Sequence, residues 1–200
     1  MNDVPRGIAG CVLAGGRGSR FGGADKGLLD FDGRPLVVHV IARLAPQVDE
    51  VLISANRNAP AYAELGRRIV SDTLGDFAGP LAGMAAALRV TAAPLLMVAP
   101  CDSPFLPENL VSCLHAALVE AGAKLATVRT GSWLQPTFAL LDRELLPDLE
   151  IYLRSGGRKI DAWYARHACA EVDFGADCAA FTNINSAPEL AAALREARRS

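Results

Sequence analysis

Glycines and cations are concentrated in one stretch near the start of the chain, directly behind a short apolar run. Residues 8–14 read I-A-G-C-V-L-A, and residues 15–26 then hold five glycines and three cations, Arg17, Arg20 and Lys26. Glycine lets the backbone approach a ligand closely and turn its N–H groups toward it, while cations neutralise phosphate charge. The stretch therefore predicts a phosphate-binding loop after a buried strand. A glycine-rich turn with solvated charges is the alternative interpretation.

Two common phosphate-binding patterns do not fit this loop. In the dinucleotide pattern G-x-G-x-x-G, counted from Gly16, Phe21 stands where the third glycine is needed. The pattern G-x-x-x-x-G-K-[ST] fails as well, because Asp25 precedes Lys26 and Gly27 follows it. The loop therefore belongs to neither of these two classes.

The composition predicts one domain over residues 1–200. The chain is 51% hydrophobic and 21% charged with a formal net charge of −2, which favours a compact protein and disfavours nucleic-acid binding. No apolar run approaches the ~20 residues of a membrane span, and the first residues lack the pattern of a secretory leader. Five cysteines without a C-x-x-C pair indicate reduced thiols. We therefore expect a cytoplasmic protein without a membrane or nucleic-acid partner.

Short apolar runs alternate with helical patterns along the chain. The predicted strands cover residues 8–14, 51–53, 69–70, 95–99, 124–130, 134–140 and 169–172. The predicted helices cover residues 35–44, 79–90, 107–121, 144–154 and 159–167, with a last one from residue 188. This alternation predicts an α/β protein with a three-layer, Rossmann-like fold, in which helices cover both faces of a mostly parallel central sheet.

Polar residues follow four of these strands at their carboxyl ends. The glycine-rich loop follows the first strand, Ser54 and Asn56 follow the second, Asp72 follows the third and Asp102 follows the fourth. Each aspartate alone could equally be a helix cap or a turn residue. Ligands of parallel sheets bind beyond the carboxyl ends of the strands, so the shared placement favours a site.

The glycine-rich stretch resembles L-A-G-G-x-x-x-R-x-G-x-x-K, the signature of nucleotidyltransferases that activate small molecules with a nucleoside triphosphate. Its fixed positions are occupied by Leu13, Ala14, Gly15, Gly16, Arg20, Gly23 (one place beyond Gly22) and Lys26. Further motifs follow in order: G-R-P-L from Gly33, A-N-R from Ala55, D-T-L from Asp72, G-P-L-A-G from Gly79, P-C-D-S-P from Pro100, P-T-F-A-L from Pro136 and N-I-N from Asn183. Over nearly its whole length the chain resembles the molybdenum cofactor guanylyltransferases, within the wider glycosyltransferase-A-like nucleotidyltransferases.

The resemblance implies that GTP and molybdenum-molybdopterin give the guanine dinucleotide cofactor and pyrophosphate, with Mg²⁺ as cofactor. A phosphate oxygen of the pterin attacks, so no residue need act as nucleophile or general base, and catalysis reduces to positioning and charge stabilisation. We expect catalytic roles for Arg20 and Lys26 at the departing phosphates, and for Asp102 as the metal ligand. Cys101 is expected to be a buried strand residue, since a hard metal gains little from a thiol.

The resemblance also implies a GTP-binding set. Its members are Leu13, Ala14, Gly15, Gly16, Lys26, Ser54, Asn56, Asp72 and Asp102. Main-chain groups of residues 13–15 are expected to face the base, and Gly15 leaves room for a purine where related cytidylyltransferases carry alanine. Asp72 could accept hydrogen bonds from guanine or from ribose hydroxyls. Ser54 stands where relatives often carry asparagine, which leaves its direct ligand contact open.

The carboxyl-terminal half is expected to bind the pterin. The candidates are Gln135, Thr137, Arg158, Asn183 and Asn185. Arg158 suits a phosphate, although a solvated charge at a helix start is equally compatible with the sequence. Asn183 and Asn185 alternate on an extended segment and would point to one side, with a turn-forming role as the alternative.

Two other functions stay open. One is another nucleotidyltransferase of the superfamily, making the cytosine dinucleotide cofactor or a nucleoside diphosphate sugar. Gly15, the chain length and the later motifs argue against it. The other is a nucleotide-binding regulator without catalysis, against which Arg20, Lys26 and Asp102 argue. We also expect a monomer that contacts other cofactor-biosynthesis proteins or acceptor enzymes transiently.

Overall fold

A seven-stranded sheet forms the centre of the protein. The computed structural model describes residues 5–14, 24–72, 79–175 and 179–197. Its strands are β1 (Ile8–Leu13), β2 (Asp30–Phe31), β3 (Arg34–Pro35), β4 (Glu50–Ser54), β5 (Arg68–Val70), β6 (Leu95–Pro100), β7 (Leu125–Thr130), β8 (Trp133–Asp142) and β9 (Cys169–Asp173). The order across the main sheet is β5-β4-β1-β6-β8-β7-β9, while β2 and β3 form a separate hairpin.

Strand β1 lies in the interior of the sheet, between two parallel neighbours. It pairs with β4 on one side and with β6 on the other. Its side chains alternate between two hydrophobic cores, with Ile8 and Val12 in one core and Ala9 and Cys11 in the other. A strand buried on both faces has a nearly continuous apolar sequence, which is why the sequence predicts it.

Strand β8 is the exception to the parallel arrangement. It pairs antiparallel with both β6 and β7, whereas β1, β4, β5 and β6 are joined by parallel pairings, as are β7 and β9. A turn at Gly131 and Ser132 connects β7 to β8, and Gly131 has a φ of +58° that suits glycine. The predicted α/β fold with a mostly parallel sheet is therefore confirmed.

Helices cover both faces of the sheet. They are α1 (Leu36–Leu44), α2 (Ala59–Ala63), α3 (Pro80–Val90), α4 (Leu110–Glu120), α5 (Leu146–Arg154), α6 (Ile160–Tyr164) and α7 (Ala187–Ala197). Leu44 of α1 and Leu114 of α4 share a core with Val12. On the opposite face, Met84 of α3 and Leu149 of α5 pack with the other core. Within the described ranges, no helix is long and apolar enough to cross a membrane.

Helix α4 begins at Leu110, so the predicted start at Pro107 is wrong by three residues. Gln47, which is 5% exposed, supplies the physical reason. Its Oε1 accepts the N–H of Val111 at 3.0 Å, and its Nε2 donates to the Pro107 carbonyl at 2.9 Å. The side chain therefore bonds a free N–H group at the start of the helix, where a capping residue would otherwise act.

The hairpin β2–β3 and helix α2 are additions to the predicted elements. The hairpin turns at Asp32 and Gly33, whose φ values are +53° and +79°. An aspartate-glycine pair with two positive φ angles is a sequence signal of a tight hairpin. The predicted elements were based on the alternation of apolar runs and helical patterns, which does not take that turn signal into account.

The Asp148 carboxylate connects α5 to α6 and to the residues that follow α6. Asp148 Oδ1 accepts from the Arg166 guanidinium at 2.7 Å, and Oδ2 accepts from the indole N–H of Trp163 at 2.8 Å. His167 Nε2 lies 3.1 Å from the same Oδ2. The hydrogen bond from Arg166 is the main cause that holds the pKa of Asp148 below its ordinary value, and Trp163 adds to it, against the opposing effect of burial.

We predict that Asp148→Asn lowers the melting temperature at neutral pH by about 3 °C, because an amide cannot pair with Arg166 as a charge. A lowered folded-state pKa means that the carboxylate stabilises the fold fully above its unfolded pKa of about 3.9, and that this contribution is lost as the pH falls through the folded pKa. The difference in melting temperature between wild type and variant should therefore narrow below about pH 4. Thermal unfolding across pH measures this.

The matched control is Glu144→Gln, which removes an exposed ion pair with Lys124. Exposed pairs contribute little, so this variant should melt near the wild-type temperature. If the difference in melting temperature between wild type and Asp148→Asn stays constant down to pH 2, the ionised carboxylate of Asp148 does not stabilise the fold as proposed.

Candidate active site

Asp102 lies just beyond the carboxyl end of β6 and is mostly buried, with 8% of its surface exposed. Its Oδ2 is 3.1 Å from the Nζ atom of Lys26. Its Oδ1 is buried and has no hydrogen-bond partner within the described part of the chain. A buried carboxylate oxygen without a partner is costly in a folded protein. This atom is therefore available to a ligand or a cation.

Lys26 connects Asp102 to the carboxyl-terminal segment. Its ammonium lies 2.6 Å from Oδ1 of Asn185, in addition to its contact with Asp102. Asn185 in turn donates from Nδ2 to the carbonyl of Asn183 at 3.1 Å. The structure thus brings two residues predicted to be catalytic together with the two asparagines predicted to bind the pterin.

The loop after β6 holds this asparagine segment on the edge of the sheet. Ser103 Oγ donates to Asn183 Oδ1 at 2.6 Å, and the N–H of Ile184 donates to the Asp102 carbonyl at 2.9 Å. Ser103 is fully buried. Ser103 was not among the predicted site residues, although its place in P-C-D-S-P beside the candidate metal ligand was a usable signal.

Asp25 fixes the position of Lys26 and was also missed by the sequence analysis. Its Oδ1 accepts from the Tyr62 hydroxyl at 2.6 Å and from the Gly27 N–H at 3.2 Å, while Oδ2 accepts from Asn58 at 3.0 Å. Burial, and then the hydrogen bond to Asp25, raises the pKa of Tyr62, so its hydroxyl remains a donor. A Cβ atom at Gly27 would overlap the Tyr62 hydroxyl, which explains the glycine after the lysine.

Asn56 and Asp72, both predicted to bind GTP, hold each other. Asn56 Nδ2 donates to Asp72 Oδ2 at 2.5 Å, and Asn56 Oδ1 accepts the N–H of Asp72 at 3.0 Å. The other oxygen, Asp72 Oδ1, is buried and lacks a hydrogen-bond partner among the residues that the structure describes. Asp72 therefore offers an acceptor whose orientation is set by Asn56.

The main chain at the end of β1 is partly engaged by the sheet. The Leu13 carbonyl accepts from the Cys101 N–H at 3.0 Å, and the Ala14 N–H donates to the Ser54 carbonyl at 2.8 Å. Ser54 is 5% exposed, and its Oγ would lie 2.6 Å from a Cβ atom at Gly83. Ser54 therefore packs against α3, and its contact with a nucleotide stays a prediction.

The described residues include both ends of the predicted phosphate-binding loop, at Ala14 and at Asp25. Three residues predicted for the site, Gly15, Gly16 and Arg20, lie outside the described residues. Their roles stay predictions from the sequence.

The remaining predicted pterin residues lie on β8 and after α5. Gln135 and Thr137 are half-buried near the start of β8, which lies at the same edge of the sheet as the end of β6 because these strands are antiparallel. The Nε2 atom of Gln135 donates to Thr130 at 3.0 Å. Arg158 donates to the carbonyl of Leu153 in the last turn of α5 at 2.8 Å and to the carbonyl of Gly157 beyond the helix at 2.7 Å. This arginine therefore caps a helix locally, and its contact with a pterin stays a prediction.

The donor set at the edge of the sheet fits Mg²⁺ and does not fit a soft metal. Cys101 is buried, and burial, together with the charges of Asp102 and Asp25, raises the pKa of its thiol, whereas a metal binds the thiolate. Within the described ranges, no group of three His, Cys, Asp or Glu side chains could surround a metal ion. Mg²⁺ needs only one or two carboxylates, since water and substrate phosphates complete its shell. The unpartnered oxygen of Asp102 satisfies that requirement.

Solved structures of low sequence identity share this fold. The chain is similar to the crystal structure of molybdopterin-guanine dinucleotide biosynthesis protein A from Archaeoglobus fulgidus, with a TM-score of 0.78 at 23% identity over 96% of this chain and 100% of that one. It is also similar to a nucleotidyl transferase from Methanothermobacter, with a TM-score of 0.73 at 21% identity over 96% and 98% of the two chains. This chain and these two proteins therefore share one fold.

Sequence comparison gives the particular family. A family model described as the MobA-like NTP transferase domain matches residues 10–171. A molybdenum cofactor guanylyltransferase from Ralstonia nicotianae is 52% identical over 192 residues, which cover 92% of this chain and 94% of that relative. The chain belongs to the family of MobA-like NTP transferases.

We predict that Tyr62→Phe slows nucleotidyl transfer about tenfold, because Asp25 loses a buried donor and Lys26 beside it is held less firmly. Pyrophosphate release at saturating substrates measures the rate. Tyr152→Phe is the matched control, since the hydroxyl of Tyr152 on α5 donates to the Lys159 carbonyl in a solvent-exposed hydrogen bond. That variant should keep the wild-type rate. Equal rates for Tyr62→Phe and wild type would show that this hydroxyl does not position the lysine.

Proposed function

We propose that the protein transfers GMP from GTP to molybdenum-molybdopterin, which forms the molybdopterin guanine dinucleotide cofactor and releases pyrophosphate. The observation that carries the proposal is the meeting of Lys26, Asp102 and Asn185 at one edge of a nucleotidyltransferase sheet. The name of the Ralstonia nicotianae relative, at 52% identity, supports the choice of nucleotide and acceptor.

The proposed reaction is a displacement at phosphorus. An oxygen of the pterin phosphate forms a bond to the α-phosphorus of GTP, and the bond from that phosphorus to the oxygen shared with the β-phosphate breaks. Pyrophosphate leaves with the electron pair. The attacking oxygen is already ionised near neutral pH, so the protein need not remove a proton from it. The protein has to align two anions and offset their charge.

Lys26 supplies positive charge for this task. Its ammonium is shared between Asp102 and Asn185, and its side chain is 22% exposed. An ammonium has three donors, so Lys26 can keep one of these contacts while it turns another donor toward the departing phosphates. Arg20, assigned from the sequence, adds a second cation there. Contacts that strengthen as pyrophosphate departs raise turnover rather than substrate affinity.

Asp102 would hold Mg²⁺ through the oxygen that has no partner among the described residues. The bound ion would neutralise phosphate charge and polarise the phosphoryl oxygens as a Lewis acid. The second oxygen of Asp102 already pairs with Lys26. One carboxylate therefore anchors two positive charges at the same point of the sheet edge.

Asp72 is proposed to read the nucleotide. Guanine presents N1–H and N2–H donors and ribose presents hydroxyls, any of which would satisfy the buried Oδ1 of Asp72. A buried acceptor discriminates strongly against a ligand that cannot donate to it. Asn56 keeps the carboxylate in its orientation, and Gly15 is proposed to leave room for the purine.

The pterin is proposed to lie against the carboxyl-terminal half of a single domain, residues 1–200, with the nucleotide on the amino-terminal half. The proposed contacts are Gln135, Thr137, Arg158, Asn183 and Asn185. Asn185 touches Lys26, so the two substrates would meet where these two side chains meet. We further propose a monomer that contacts other cofactor-biosynthesis proteins or acceptor enzymes transiently.

The proposal is tested by incubating the protein with Mg²⁺, molybdenum-molybdopterin and one nucleotide at a time, GTP, CTP or ATP. The products are identified by mass. We expect the guanine dinucleotide from GTP, at a rate roughly 10²-fold or more above that with CTP, because buried polar groups left unpaired penalise the wrong base. Equal turnover of CTP would favour a cytidylyltransferase. GTP binding without any product would favour a regulator that has no catalytic activity.

We predict that Asp102→Asn lowers turnover roughly 10²–10³-fold, the scale for losing one electrostatic group at a reacting phosphate. The amide keeps the shape of the side chain while it removes the charge that would hold Mg²⁺ and Lys26. Pyrophosphate release titrated with Mg²⁺ measures the effect. Asp161→Asn, at an exposed position in the first turn of α6, is the control and should retain full activity. Full activity of Asp102→Asn would exclude Asp102 as an essential ligand.

A further inference from the structure

Strand β8 carries a bulge that interrupts its pairing with β7. Thr127 of β7 is paired with Ala139, but its neighbour Val128 is paired with Gln135. Three residues of β8, at positions 136–138, therefore have no partner in the β7 register. An ordinary bulge adds one residue to a strand, so this one is unusually large.

The bulge lies at the edge of the sheet where the site is. Ala139 is the first residue of β8 that pairs with β6, opposite Val98, so residues 136–138 directly precede the paired part of β8. Strand β6 continues to Pro100, and Asp102 follows two residues later. The bulge is therefore level with the final residues of β6, next to the segment that carries the candidate metal ligand.

Two hydroxyl groups hold the carbonyls of the bulge. Thr127 is fully buried, and its Oγ1 lies 3.0 Å from the Phe138 carbonyl and 3.3 Å from the Gln135 carbonyl. Its single hydrogen can be donated to only one of them at a time. Tyr164, which is 3% exposed, donates its hydroxyl to the Pro136 carbonyl at 2.7 Å. Carbonyl groups that a regular ladder would bond are thus bonded by side chains.

The bulge is also packed against the segment that holds the two asparagines. The ring of Phe138 meets the ring of Phe181 edge to face, with centroids 5.0 Å apart. Both rings are buried, and Phe181 stands two residues before Asn183. The bulge and the asparagine segment therefore form one packed unit on the side of Asp102 that we propose for the acceptor.

We propose that Thr127 and Tyr164 are positioning residues for the acceptor substrate. Their hydroxyls hold the bulge in the shape that presents Gln135 and Thr137 at the edge of the sheet beside Asp102. This inference rests on the proposed function, since it assumes that the acceptor binds beside the bulge of β8. Neither residue belongs to the set assigned to GTP, so their loss should affect one substrate and spare the other.

The experiment compares Thr127→Val, which keeps the shape and removes the hydroxyl, with Thr127→Ser, which keeps the hydroxyl. We expect Thr127→Val to raise the KM for molybdenum-molybdopterin about tenfold, as for one buried carbonyl left unbonded, while GTP affinity by calorimetry changes less than about twofold. Thr127→Ser should restore the acceptor KM. Tyr164→Phe should act like Thr127→Val, and it carries the test alone where Thr127→Val does not fold.

An unchanged acceptor KM in both hydroxyl-deleted variants would overturn the inference. An equal weakening of acceptor KM and GTP affinity, together with a lower melting temperature, would also overturn it, because a merely structural role has that signature. These failures differ from failure of the proposed function, in which the wild-type protein itself forms no guanine dinucleotide. If the wild-type protein is active and the acceptor KM of both hydroxyl-deleted variants is unchanged, only the positioning role is excluded.

Discussion

The burial of β1 between two parallel neighbours is the constraint on which the other features depend. Strands β4, β1 and β6 run in one direction and are paired side by side, and helices cover both faces of the sheet that they form. Polar groups cannot be left unbonded in such an interior. Strand β5 runs parallel beside β4, so the polar residues Asn56, Asp72 and Asp102, which follow β4, β5 and β6, lie at one edge of the sheet.

Long-range contacts complete the edge that the strands define. Lys26 and Asn185 are 159 positions apart in the sequence, yet their side chains touch. Closing so long a loop costs entropy, and one polar contact could not offset that cost alone. The hydrogen bond from Ile184 to the Asp102 carbonyl and the buried ring of Phe181 hold the segment independently. The contact with Lys26 is thus a consequence of the packing.

The sequence predicts most of the sheet and part of the site, and the boundary between the two has a physical origin. Buried parallel strands and amphipathic helices leave local patterns, so the seven strands of the main sheet, their order along the chain and most of their bounds follow from the sequence. The start of α4 depends on Gln47 across 64 positions, and the anchor of Lys26 depends on Asp25 and Tyr62, which are 37 positions apart. A local sequence pattern cannot indicate contacts between side chains so far apart in the sequence. The large bulge in β8 was likewise not predictable, since it needs a hydroxyl from each of two other elements.

The antiparallel direction of β8 determines how easily the part of the site that β8 builds can change in length and sequence. Parallel neighbours must be joined by crossovers of about a dozen residues or more, and here those crossovers carry the helices that build the cores. Lengthening one of them would disturb packing throughout its layer. Strand β8 instead returns from β7 through the two residues Gly131 and Ser132. A hairpin end can grow, shrink or exchange side chains without rethreading the chain. A fold of this kind can therefore accommodate substrates of different shape through changes in the single hairpin that joins β7 to β8.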